Sequence, residues 1–136
     1  IVAFWVAERA GARAGEVREY RYVQHWGDLA ADGADRLALV SATRAGAAPD
    51  VPGARRFVVD FAGAALAALP TDAAIEPVVT LSAGEVIGRR LEPVPDEGVW
   101  RAVLDVAAPG AAVVELSAHL AGYGRKLTET WLYQWN

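Results

Sequence analysis

Apolar and polar positions alternate with a period of two along most of this chain, in short runs separated by Gly, Pro and Asp. That period puts successive side chains on opposite faces of a strand, whereas a helix repeats about every 3.6 residues. Helical periodicity is nearly absent. The pattern predicts strands over Val2–Ala7 and Val17–Trp26. Further strands are predicted over Arg36–Arg44, Arg55–Phe61, Ile75–Ala83, Glu85–Pro93, Val99–Ala107, Val113–Leu120 and Lys126–Trp135. In the second of these segments Tyr20, Tyr22, Gln24 and Trp26 share one face. In Arg55–Phe61, Phe57, Val59 and Phe61 share a face, and Val58 and Asp60 point the other way.

The breaks are as informative as the runs. Gly11–Gly15 reads as a turn and Gly27–Asp35 as a polar linker. Ala45–Ala54 carries Pro49 and Pro52, which block regular pairing. Gly63–Leu69 is the one helix-like piece, Ala-rich and stopped by Pro70; so short a helix needs packing to persist. Ile75–Ala83 and Glu85–Pro93 read as a hairpin or bent pair around Gly84, with Pro77 marking an edge position or strand start. Turns follow at Asp96-Glu97-Gly98, Pro109-Gly110 and Gly122-Tyr123-Gly124.

Between Arg36 and Trp135 this makes about seven strands with short connections, the count of an immunoglobulin-like sandwich of roughly 100 residues. With no Cys in the chain, it is not an antibody-type domain. The two strands before Gly27 are surplus, and we assign them to the end of a preceding domain.

Composition narrows the chemistry. At 136 residues, 54% hydrophobic and 22% charged, the chain is globular, with no run near the roughly 20 apolar residues of a membrane span. A net charge of -4 with scattered basic residues argues against nucleic acid as a partner. The absence of Cys removes thiolate catalysis and Cys-based zinc sites. The Ile1 start, with no leader-like segment, is read as a fragment of a longer protein.

Paired acids hydrolyse glycosides, which makes Asp60, Asp105, Glu115 and Glu129 the candidates for such chemistry. The competing reading, solvated positions or cross-strand partners of Arg, is favoured. His25 and His119 lie on separate strands without metal-ligand spacing, so no metal is expected. Ser41, Ser82 and Ser117 lack a nucleophile-elbow context. The aromatics carry more. Flat rings stack on sugars, but one such ring also buries about 150–250 Å² in a core. For Trp131, Tyr133 and Trp135, which alternate on one strand, core packing is favoured. Packing is favoured, by a smaller margin, for Trp5, Tyr20, Tyr22 and Trp26 as well, in a segment that could face a partner domain; these four are the candidate substrate-binding residues.

The segment Leu127-Thr128-Glu129-Thr130-Trp131-Leu132-Tyr133-Gln134-Trp135 resembles the C-terminal signature of the periplasmic glucan biosynthesis proteins G and D. Two earlier stretches agree in order: Ile1-Val2-Ala3-Phe4-Trp5 with Gly15-Glu16, Tyr20-Arg21-Tyr22 and Trp26-Gly27, and then Arg55-Arg56-Phe57-Val58-Val59-Asp60-Phe61-Ala62-Gly63. The resemblance implies a parent with a large galactose-mutarotase-like β-sandwich followed by an immunoglobulin-like domain of E-set type. Residues 1–27 would close the large domain and residues 28–136 would form the small one. It implies a periplasmic location and a role in making or processing osmoregulated, β-1,2-linked glucans. Some members of that family are glycoside hydrolase-like, with catalytic acids in the large domain upstream of Ile1. No catalytic residue is therefore carried onto this chain, and no cofactor is expected. The expected role is an accessory domain whose partners are the large domain, glucan through the parent, and a second protomer in a homodimer. An independent carbohydrate-binding module and a protein–protein module are the alternatives.

Overall fold

The structure, a computed structural model, describes residues 14, 15, 17, 19, 21, 37–110 and 113–135. By compactness the chain divides into two units, Ile1–Ala30 and Ala31–Asn136, and every strand described below belongs to the second. The expected strands Val2–Ala7 and Val17–Trp26 fall wholly or mostly outside the described residues.

Strands run in the order β1 (Leu39–Ala47), β2 (Arg55–Ala62), β3 (Ile75–Leu81), β4 (Glu85–Val94), β5 (Val99–Ala107), β6 (Val114–Gly122), β7 (Arg125–Lys126) and β8 (Trp131–Trp135). One helical turn, α1 (Ala64–Ala67), follows β2, and a 3-10 turn over Pro95–Glu97 separates β4 from β5. Two antiparallel sheets result. The first runs β1-β2-β5-β4; in the second, β6 pairs with β3 along one edge and with β7 and β8 along the other. First-second-fifth-fourth against third-sixth-seventh is the order of a constant-type immunoglobulin sandwich.

The period-two pattern explains why the sheets face each other. Phe57, Val59 and Phe61 of β2 and Trp100, Ala102, Leu104 and Val106 of β5 point inward. They meet Val114, Leu116, Ala118 and Leu120 of β6 and Trp131 of β8 in one buried cluster. Fully burying a side chain of this size stabilises by about 1.5–3 kcal/mol, so this stripe is the main source of stability. Leu66 anchors α1 in the same core, which is how so short a helix persists. It forms a single turn, shorter than the expected Gly63–Leu69.

Three expectations are corrected. First, Ile75–Ala83 and Glu85–Pro93 do not form a hairpin, because β3 and β4 belong to different sheets. The chain crosses between sheets at residues 82–84. There Gly84 has φ 82°, and a Cβ on it would lie 2.4 Å from the Ala107 carbonyl oxygen, so only glycine turns this corner. Pro77 does lie on an edge strand, and its carbonyl accepts a bond from Arg89 Nη1 of β4 at 3.1 Å. A charged side chain thus caps an edge that would otherwise be open to pairing.

Second, β1 extends to Ala47 rather than ending at Arg44, because Ala45, Gly46 and Ala47 pair with Phe57, Arg56 and Arg55. Third, the last strand is split. After Leu127, whose N–H still donates to the Leu120 carbonyl at 2.9 Å, residues 128–130 leave the β6 ladder, and Ala38 pairs in parallel with Thr128 across the gap. Ala38 N–H donates to the Leu127 carbonyl at 2.9 Å, and Glu129 N–H donates to the Ala38 carbonyl at 2.8 Å. The split leaves the Leu120 N–H of β6 without a strand acceptor. The fully buried Thr128 hydroxyl accepts it at 2.9 Å and donates to the Glu129 carbonyl at 2.8 Å. Thr128→Val is therefore expected to lose about 1–3 kcal/mol, since a buried donor loses its acceptor at nearly constant volume. Urea denaturation checks this, and a cost below about 0.5 kcal/mol would mean that the Leu120 N–H finds another acceptor.

Candidate functional site

Three of the four acidic residues that are candidates for glycoside chemistry, Asp60, Asp105 and Glu129, are engaged in structural bonds. Asp60 and Asp105 point away from the core on the outer face of the first sheet, each directly opposite an arginine: Asp60 faces Arg101, and Asp105 faces Arg56. Arg101 binds Asp60 through both forks, at 2.7 and 3.0 Å, and Arg44 Nη2 adds a bond at 2.7 Å. Arg56 binds Asp105 at 2.7 and 2.8 Å. These bonds hold both carboxyls below the usual carboxylate range, against the opposing effect of burial. An acid held ionised in this way is a poor proton donor, which a general acid must be. Gly88, opposite Asp105, leaves room for the second pair, since a Cβ there would lie 3.0 Å from Asp105 Oδ2. Glu129 accepts the Val40 N–H at 2.7 Å and so fastens the start of β1. Glu115 is exposed on β6.

The aromatics of β8 pack inward, as expected of core residues. Trp131, Tyr133 and Trp135 are opposite Ala118, Leu116 and Val114 of β6. Their rings gather around Phe57, with centroids at 5.7, 5.1 and 6.3 Å. Arg55 sits 5.5 Å from the Trp135 ring centre. Trp5, Tyr20, Tyr22 and Trp26 lie outside the described residues, as does His25.

His119 projects from the outer face of the second sheet, opposite Val78. Partial burial and the nearby Lys126 charge push its pKa down. Ser41 donates to the Asp60 backbone carbonyl, and Ser82 Oγ accepts the Glu115 N–H. Among the described residues no three His, Asp or Glu side chains converge as metal ligands. No helix among them is long and apolar enough to cross a membrane.

The structure also builds a groove at Gly122-Tyr123-Gly124, where the sequence pattern shows only a turn. It is an open depression of about 690 Å³ beside the hairpin joining β6 to β7. Ala121 and Gly122 form its floor, with Glu76 of β3 on one side, Arg125 and Lys126 of β7 on the other, and Tyr123 at its tip. Glu76 and Lys126 are both in register with Ala121, so they are two strand spacings apart, about 10 Å. The Lys126 ammonium bonds the Thr130 hydroxyl. Tyr123 is 60% exposed. A bulky aromatic between two glycines at a two-residue turn was the available signal.

Residues 1–135 match the family described as periplasmic glucan biosynthesis protein, MdoG. Glucans biosynthesis protein G of Cereibacter sphaeroides is 45% identical over 140 residues, covering 99% of this chain and 26% of the relative. Glucans biosynthesis protein D of Pseudomonas fluorescens is 38% identical over 148 residues, covering 99% of this chain and 27% of the relative. Glucans biosynthesis protein D 2 of Ralstonia nicotianae is 38% identical over 144 residues, covering 100% and 26%. The chain therefore spans about a quarter of the length of the curated relatives it matches. Matched over nearly its whole length, and carrying the aromatic last strand seen in sequence, it belongs to the MdoG family of periplasmic glucan biosynthesis proteins.

Proposed function

We propose that this chain is the C-terminal accessory portion of a periplasmic protein that makes or processes β-1,2-linked glucan, and that it is itself non-catalytic. Residues 1–27 then close a larger β-sandwich domain, and residues 28–136 are the immunoglobulin-like domain that follows. The observation that carries this reading is the disposition of the acids. Asp60, Asp105 and Glu129 are each spent on a structural bond, while the family match runs the length of the chain. A hydrolase needs one carboxyl free to give a proton and a second at a defined distance across the sugar. The inward packing of Trp131, Tyr133 and Trp135 removes the last strand as a sugar platform and weighs against the independent carbohydrate-module reading.

The test has two arms. The chain incubated with linear β-1,2-glucan is expected to leave its length distribution unchanged, and shortening of the glucan would overturn the non-catalytic role. The full-length parent with residues 28–136 deleted is expected to yield cells with sharply reduced periplasmic glucan. Unchanged glucan in those cells, with the truncated protein present at normal level, would overturn the accessory role.

A further inference from the structure

We propose that the groove at the β6–β7 hairpin is a glucan subsite, in which a pyranose ring stacks on Tyr123 while its hydroxyls bond Glu76 and Lys126. The choice of sugar rests on the glucan reading above; the existence of a site rests on the hairpin itself.

Gly122 pairs with Arg125, so Tyr123 and Gly124 are the two central residues of the turn, with φ of 55° and 72°. Positive φ at both positions is the turn type that matches strand twist, and it favours Asn-Gly. Each glycine has its reason. Gly124 supplies a positive φ. Gly122 lets β3 approach, since a Cβ there would lie 2.6 Å from Ile75 Cγ2. Tyr123 has neither reason. It is the one described non-glycine residue at positive φ, a conformation that bulky side chains avoid. With 60% of it exposed, its ring recovers little by burial. A strained residue that neither packing nor turn chemistry explains points to a ligand.

The walls of the groove say what kind of ligand. Glu76 accepts hydrogen bonds and Lys126, on the same face of the sheet, donates them, keeping two N–H donors beyond its bond to Thr130; both are exposed without an ion pair among the described residues. An anionic ligand would be repelled by Glu76, and a cationic one by Arg125 and Lys126. A neutral polyol uses donor and acceptor together, and its apolar ring face suits an exposed tyrosine. A few converging polar groups around an aromatic surface are the usual make-up of a small-molecule site.

The experiment is a titration of the 136-residue chain with a linear β-1,2-glucooligosaccharide, followed by backbone amide NMR. Shifts are expected to concentrate at residues 74–76 and 121–126. Tyr123→Asn is the decisive variant, because Asn tolerates the left-handed backbone. It is expected to raise Tm by a few degrees and to weaken binding at least about tenfold, as loss of an aromatic anchor does. Glu76→Gln is expected to weaken binding with Tm unchanged. A purely structural tyrosine would not separate binding from stability in this way. Shifts centred elsewhere, or binding unaffected by Tyr123→Asn, would overturn the groove while leaving the accessory role intact. No shift at millimolar oligosaccharide would also overturn the groove. The accessory role is judged separately, by the glucan content of the deletion cells.

Discussion

Phe57→Ala is expected to destabilise the sandwich by about 3–5 kcal/mol, the cost of removing a buried aromatic from a core that relaxes only partly. Phe57 is fully buried on β2, opposite Leu104 of β5 and Ala45 of β1. Its ring crosses from the first sheet to the second and touches all three aromatics of β8. Each such aromatic pair is worth about 0.5–1.5 kcal/mol beyond the area it buries. Among the described residues, the one ladder that holds β8 is its pairing with β6. The loss should therefore be local as well as global. The midpoint of urea denaturation falls, and the amides of Trp131–Trp135 lose exchange protection before those of β2 and β5. Phe57→Leu, which keeps most of the volume, should cost less than half as much. An alanine variant within about 1 kcal/mol of wild type would mean that the aromatic cluster is not the joint between the sheets.

Much of this arrangement was legible in the sequence because its physics is local. Phe57, Val59 and Phe61 alternate with Val58 and Asp60, and a period of two permits only one face to be buried. The same pattern placed Trp131, Tyr133 and Trp135 together, and Pro77 reported an edge because it has no N–H to give. The errors arose where partners are distant in sequence. The crossing at Gly84 looks like a hairpin turn, since both need a glycine at positive φ. Only the preference of β3 for β6 and of β4 for β5 tells them apart. The split of the last strand depends on Ala38, about 90 residues away from Thr128. Alternation by itself could not predict that a threonine hydroxyl would replace a backbone acceptor.

The groove was missed for a different reason. Gly122-Tyr123-Gly124 carries an unmistakable turn signal, and that reading was right. What the signal hid was the cost of the middle residue, which appears only once both turn dihedrals are known. The acids show the converse. For Asp60 and Asp105 the sequence favours solvated outward positions or cross-strand partners of arginine without choosing between them, because it does not give the register that sets Asp60 opposite Arg101 and Asp105 opposite Arg56.

That register makes Asp60 the second site of large effect. Asp60→Ala is expected to cost about 2–4 kcal/mol, because Arg101 and Arg44 lose the carboxylate that neutralises them on a face where Asp60 is only 3% exposed. The cost lies below that for a wholly buried pair because Arg44 is half exposed and can be rehydrated. Asp60→Asn, which keeps the shape, should fall between the two. The pH dependence has a definite sign. The Arg101 hydrogen bonds lower the Asp60 pKa in the folded state, and Arg56 does the same for Asp105. The unfolded chain, with aspartate near the reference value of about 3.9, then binds protons more readily than the folded one. The stabilisation is fully present above that value and drains away as pH falls through the lower folded pKa. Wild-type stability from these groups should be flat between about pH 5 and 7 and drop steeply below about pH 4, with a shallower drop in Asp60→Ala. Salt should weaken the effect only modestly, since the paired atoms are in direct contact and largely shielded from solvent. If Asp60→Ala and wild type lost stability in parallel on acidification, the bidentate pair would have no energetic weight. The outer face of the first sheet would then be held by Val58 and Val103, which lie opposite each other between the two charge pairs.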